Sequence, residues 1–159
     1  MICDFMITRA LLKLVLPSAC SWAERQERLI HRDGVALAPS QIADAKRIGV
    51  AQPERVHLFA VDEIPMPLYP VLKMAAERTG FLSPDTIGLT LRYGIFIRSD
   101  CWSDRRLVVH ELAHTAQYER LGGFHSFLEK YLDECITPPG YPHGPLEQEA
   151  KRIEREMCG

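Results

Sequence analysis

The sequence lacks any Cys-x-x-Cys pair. Its five cysteines, Cys3, Cys20, Cys101, Cys135 and Cys158, are scattered and odd in number. This argues against a thiolate zinc site and a disulfide framework, and fits a reducing compartment. No apolar run approaches the roughly 20 residues that span a bilayer, so no membrane span is expected. A basic surplus is missing as well: 19 Lys and Arg against 21 Asp and Glu give a formal net charge of −2. A nucleic-acid partner, which ordinarily needs a positive surface, is therefore not expected. Internal repeats and low-complexity tracts are also absent. What is present is an ordinary globular composition, 47% hydrophobic and 25% charged over 159 residues. That length supports a core without disulfide staples, and one domain over residues 1–159 is expected.

The N-terminus holds one ambiguous segment. Ala10 to Leu16 is apolar and Pro-Ser-Ala-Cys follows at 17–20, which faintly resembles a lipoprotein signal. Lys13 interrupts the short run, and Pro17 stands where such a signal usually has Leu. The segment reads instead as a short amphipathic helix of a cytoplasmic protein.

Local signals predict an α+β chain. Ser21-Trp22-Ala23-Glu24 has the form of a capping box opening a charged helix to about Ile30, ended by Asp33-Gly34. Ser40 caps a short helix, Gln41 to Ile48, stopped by Gly49. Arg55 to Val61 is rich in β-formers and predicts a strand. Prolines 65, 67 and 70 remove backbone donors and predict an irregular stretch. Leu72 to Arg78 is helical, with Gly80 past its end. Ile87 to Leu91 and Ile95 to Arg98 read as strands joined by a tight turn through Arg92-Tyr93-Gly94. A long helix starts at Ser103 or Asp104 and runs to Leu121, closed by Gly122-Gly123. Phe124, Phe127, Leu128, Tyr131, Leu132 and Cys135 then recur at helical spacing. After a Pro- and Gly-rich loop, Pro145 opens a last helix with a buried stripe of Leu146, Ala150, Ile153 and Met157.

The long helix contains His110-Glu111-Leu112-Ala113-His114. Two histidines four apart project from one helix face and can share a metal ion. The intervening Glu111 points to the side where a bound water would sit, so a metal can acidify water while the carboxylate takes its proton. The five-residue pattern alone arises by chance in on the order of one chain in a few hundred. Its context strengthens it, because Val108, Val109, Leu112, Ala113, Thr115 and Ala116 flank it on both sides and mark an interior helix.

A catalytic zinc site needs three protein ligands and an open position. The extended pattern with a third histidine would require Gly at 117 and His at 120, where this chain has Gln117 and Arg120. The remaining common solution is a carboxylate from a following helix. Glu147 lies in the first turn of the last helix, bordering the side buried by Leu146 and Ala150. Glu149 is about 200° further around and should point elsewhere, yet it is the main rival. Asp133 and Glu134 are weaker candidates. Gln117, one turn past His114 on the metal face, can orient a ligand. His31, His57 and His125 lack partners at ligand spacing, and Tyr118, Cys101 and Trp102 read as packing.

His-Glu-Leu-Ala-His-Thr-Ala-Gln, followed by Glu-x-x-Ala on a later helix, resembles the zincin metallopeptidases of the gluzincin type. More narrowly, it is similar to small bacterial zincin-like proteins with a Pro-Leu-Glu-x-Glu-Ala segment. The resemblance covers about residues 87–157, the expected metal-site core, and residues 1–80 match nothing comparable. It implies a minimal zincin fold with a small sheet beside the active helix. It also implies Zn2+ as cofactor, Glu147 as third ligand, Glu111 as general base and a peptide or protein as substrate. Many gluzincins have Asp or Asn after that Ala, supporting the site; this chain has Lys151, so the support is missing or supplied elsewhere. Zincins bind an extended peptide along an edge strand, for which Ile95, Phe96, Ile97 and Arg98 are the candidates. They also place a Tyr or His near the developing oxyanion, for which Tyr141 and His143 stand ready in the preceding loop. A catalytically silent or latent zincin fold, serving as a binding or regulatory module, is the alternative.

Overall fold

The first helix, α1 (Ile2–Asp33), shows how tertiary burial overrides a local breaker. The computed structural model describes residues 2–159, with side chains from residue 9 onward. Pro17 lies inside α1, where a proline costs about 3 kcal/mol. Leu12, Val15 and Leu16 before it and Trp22, Ala23 and Ile30 after it are all buried. Each large side chain among them contributes about 1.5–3 kcal/mol, so the stripe outweighs the proline. The two expected N-terminal helices are therefore one, and the capping box at Ser21 is not used.

The chain continues through a short strand, β1 (Val35–Ala36), which the sequence does not announce, into α2 (Pro39–Ile48). The cap of α2 is Ala38, not Ser40: Gln41 accepts the Ala38 N–H at 2.8 Å, and Pro39 takes the first helical position. A tight turn at Pro53–Arg55 delays β2 to His57–Val61. An irregular stretch leads to α3 (Pro70–Thr79), then to the hairpin of β3 (Gly88–Leu91) and β4 (Gly94–Arg98). Three helices close the chain: α4 (Arg105–Leu121), α5 (Phe124–Ile136) and α6 (Pro145–Cys158). The architecture is α+β. Among the described residues no helix is long and apolar enough to cross a membrane.

The sheet runs β1-β2-β4-β3, with β2 parallel to β4 and the other pairs antiparallel. It separates two apolar cores, and alternation along β4 feeds both. Phe96 joins Leu89, Leu91 and residues of α1, α3 and α5 on one face. Ile95 and Ile97 join Leu58 and residues of α2 and α4 on the other. α4 reaches both cores, through Leu107, Val108 and Leu112 in the second and Tyr118 in the first.

This topology corrects one expectation. Ile95, Phe96, Ile97 and Arg98 pair on one side with β2 and, with their hairpin partner, on the other. β4 is interior and has no free edge for a peptide. Its unbroken apolar run, buried on both faces, is the mark of a central strand. Among the described residues the edge strands are β1 and β3, and of the two β3 lines the cleft at Glu111.

Candidate metal centre

Asp104 starts α4 by accepting the Arg106 and Leu107 amides at 2.9 and 3.3 Å. Gly122 ends it in a left-handed conformation, φ 92°. Between these caps the helix presents His110 and His114 one turn apart, and α6 lies alongside it with Glu147 in its first turn.

The three side chains converge. His110 Nε2 lies 3.2 Å from His114 Nε2. Glu147 places Oε1 3.1 Å from His114 Nε2 and Oε2 3.4 Å from His110 Nε2. Donor atoms bonded tetrahedrally to zinc at about 2.0–2.1 Å are about 3.3–3.4 Å apart, so this triangle of side chains, with one Glu147 oxygen toward each histidine and one ligand atom from each residue within 4.8 Å of the others, is compact enough to close on one ion. Chemically the set, two imidazoles and a carboxylate, suits zinc and could hold it.

The surroundings fix which nitrogen of each ring faces the centre. His114 Nδ1 meets Gln117 Oε1 at 2.8 Å. The Gln117 amide is itself oriented, since its Nε2 donates to Leu146 O and to Glu149 Oε2, both at 2.9 Å. Gln117 Oε1 therefore accepts the Nδ1 proton and leaves the Nε2 lone pair for a metal. On His110, Nδ1 faces Glu154 Oε2 at 3.4 Å. Glu154 is seven residues past Glu147 on the same face of α6.

Glu147 is nearly inaccessible and accepts a hydrogen bond from Tyr131 at 2.5 Å. The rings of Tyr131 and Phe127 stand edge-on around His114. Burial favours the neutral form of both ionisable partners, but their mutual contact prevails. Glu147 is held well below the usual carboxylate range by the two histidines. His114 is pulled down by burial yet raised overall to about 9, chiefly by Glu147. Without a cation at the centre, a proton on His114 occupies its position.

Glu111 lies beside this triangle and outside it. Thr90 Oγ1 sits 2.6 Å from its Oε2 and 2.9 Å from its backbone carbonyl. Its carboxylate rests on Gly88, where an added Cβ would come within 2.6 Å of Oε1. Gly88 and Thr90 thus form a seat on β3 for this one side chain. His110, His114, Glu147, Glu111, Gly88 and Thr90 line a cleft of about 460 Å3.

The other expected residues divide. Tyr141 lines the cleft, and burial together with the charges of Glu147 and Glu111 pushes its pKa up to about 12, so it stays protonated. His143 is exposed and outside the cleft. Tyr118 is fully buried and stacked on Phe127, as packing. Glu149 pairs with Arg120, Asp133 with Arg9, and Glu134 with Lys130, so none of these approaches the histidines. Sequence reasoning missed Tyr131, Thr90 and Glu154. Of these, only Glu154 carried a signal, its helical spacing from Glu147.

Compared with family models, curated proteins and solved structures, the chain matches none.

Proposed function

We propose that the chain is a zinc-dependent metallopeptidase that hydrolyses peptide bonds, with His110, His114 and Glu147 as ligands and Glu111 as general base. The observation that supports it most is the convergence of the three side chains, whose closest donor contacts are 3.1–3.4 Å, near the spacing of donors around tetrahedral zinc. Zinc held there would polarise a substrate carbonyl and bring the pKa of water down to about 7.

The chain's own residues account for the rest. Glu111 accepts a proton from the attacking water and returns it to the leaving amine. Thr90 holds its Oε2 and leaves Oε1 for that exchange. β3 offers an extended peptide an unpaired edge. Ile87 is bonded to Arg98 across the hairpin, so by alternation the backbone groups of Gly88 and Thr90 turn away from β4, toward a substrate strand. Tyr141 can donate its proton in a hydrogen bond to the developing oxyanion. The unpaired cysteines fit a cytoplasmic setting. Support built around Glu111 favours the enzyme over a silent binding module, which has no need of a base.

Zinc content tests this reading. The purified chain should bind one zinc per molecule, and His114→Ala should lose metal and activity together. A wild-type chain with no zinc affinity ends it.

A further inference from the structure

Lys151 follows Glu147 by four residues on α6, so the two side chains share a helix face one turn apart. It is half-buried and lines the metal cleft. Its neighbours are already partnered. Arg106 pairs with Glu154 at 3.0 Å, Glu154 also meets His110, and Glu147 meets both histidines. Glu111 is held by Thr90, and Asp104 caps its helix. Lys151 differs: its ammonium touches only the Pro142 carbonyl oxygen, at 3.4 Å, and no carboxylate pairs with it among the described residues. An ammonium has three N–H donors, so one long contact leaves most of its capacity unused. A half-buried cation without a counter-ion gains more from an incoming anion than an exposed one does. The Lys151 ammonium contacts neither histidine, so Lys151 has no part in orienting them.

We propose that Lys151 is a specificity-determining residue that binds a carboxylate of the substrate, carried as an acidic side chain or as the peptide's free C-terminus. The three glutamates lining the cleft repel an approaching anion, and Lys151 supplies a local cation to receive it. The Pro142 carbonyl keeps the ammonium at the cleft wall beside Tyr141. The proposal rests on the metallopeptidase reading for the nature of the ligand.

The test measures binding to the full chain, zinc-loaded and carrying Glu111→Gln to stop turnover. Two matched sets of N-acetylated hexapeptides are compared by calorimetry: free C-terminal carboxylate against C-terminal amide, and, in C-terminal amides, Glu against Gln at one internal position. In at least one set the carboxylate member should bind about 5- to 20-fold tighter, the range for a charge-assisted hydrogen bond at a half-buried site. The responding set identifies the source of the carboxylate. Adding Lys151→Met should bring the two members within twofold of each other, and Lys151→Arg should keep the preference. No preference in either set, including no binding at all, overturns the proposal. So does a preference that survives Lys151→Met, or a variant that weakens both members equally. Zinc content of the same samples separates the two readings: a carboxylate preference lost in Lys151→Met, without zinc bound, would keep the anion site and remove the peptidase.

Discussion

Replacing Gly88 by alanine puts a carbon where Glu111 already stands. The new Cβ would lie 2.6 Å from Oε1, 2.9 Å from Cδ and 3.1 Å from Cγ. A comfortable carbon–oxygen contact is about 3.3–3.6 Å, so the carboxylate must retreat by about 0.7–1 Å. Thr90, 2.6 Å from Oε2, holds it on the same strand. The retreat either breaks that contact or carries the base away from its working position. A 1 Å misplacement costs about 100-fold in rate, and loss of a general base about 10²–10⁴-fold. Gly88→Ala should therefore lower kcat/KM about 100-fold. Zinc content should not change, because neither Gly88 nor Glu111 belongs to the donor triangle. The fold should hold as well: Gly88 has no positive φ, and alanine recovers about 0.5–1 kcal/mol of glycine's conformational cost in a strand. The assay is hydrolysis of a quenched-fluorescent peptide pool, with zinc content and Tm on the same samples. Activity within threefold of wild type at equal zinc would refute the seat on β3, and loss of zinc would refute the exclusion of Glu111 from the ligand set.

Other consequences concern pH, orientation and packing. In the metal-free chain His114 is raised from 6.5 to about 9, so its stabilisation is full below pH 6.5 and lost as pH rises through about 9. Glu147 is lowered from 4.5, so its stabilisation is present above pH 4.5 and lost in acid. Tm of the metal-free chain should peak between these limits, and a peak above pH 9 would contradict the pairing. Zinc must displace the His114 proton, so its affinity should climb about tenfold per pH unit between 6.5 and 9 in titrations with a competing chelator. A flat profile would exclude His114 as the displaced group. Tyr131→Phe and Gln117→Leu should each weaken zinc binding about 10- to 100-fold, measured the same way, because each orients a ligand without being one. Phe127→Ala should cost about 3–5 kcal/mol in urea unfolding, since its ring is buried and stacked between Tyr118 and Tyr131.

What could be read from the residues follows the range of the interactions. The helix α4, its start at Ser103 or Asp104, its stop at Gly122 and the apolar spacing of α5 depend on neighbours within a turn or two, and each was legible. The geometric preference for Glu147 over Glu149 was legible for the same reason, since it depends on one helix's periodicity. α1 was divided at Pro17 because the burial that holds it together comes from α3, α5 and the sheet. The place of β4 inside the sheet depends on β2, more than thirty residues away in the chain. Tyr131 could not be told from the rest of its apolar stripe, and Thr90 could not be linked to Glu111 before β3 was known to lie beside α4.

The central claim is that a zinc held by His110, His114 and Glu147 works with Glu111 as the base. Its most direct test is hydrolysis of a diverse peptide library by wild type and Glu111→Gln, with zinc measured in both. The account predicts one zinc per chain in each protein, with the rate falling by about 10²–10⁴-fold in the variant. Equal activity in the two proteins at full zinc occupancy would contradict it, leaving zinc in a structural role.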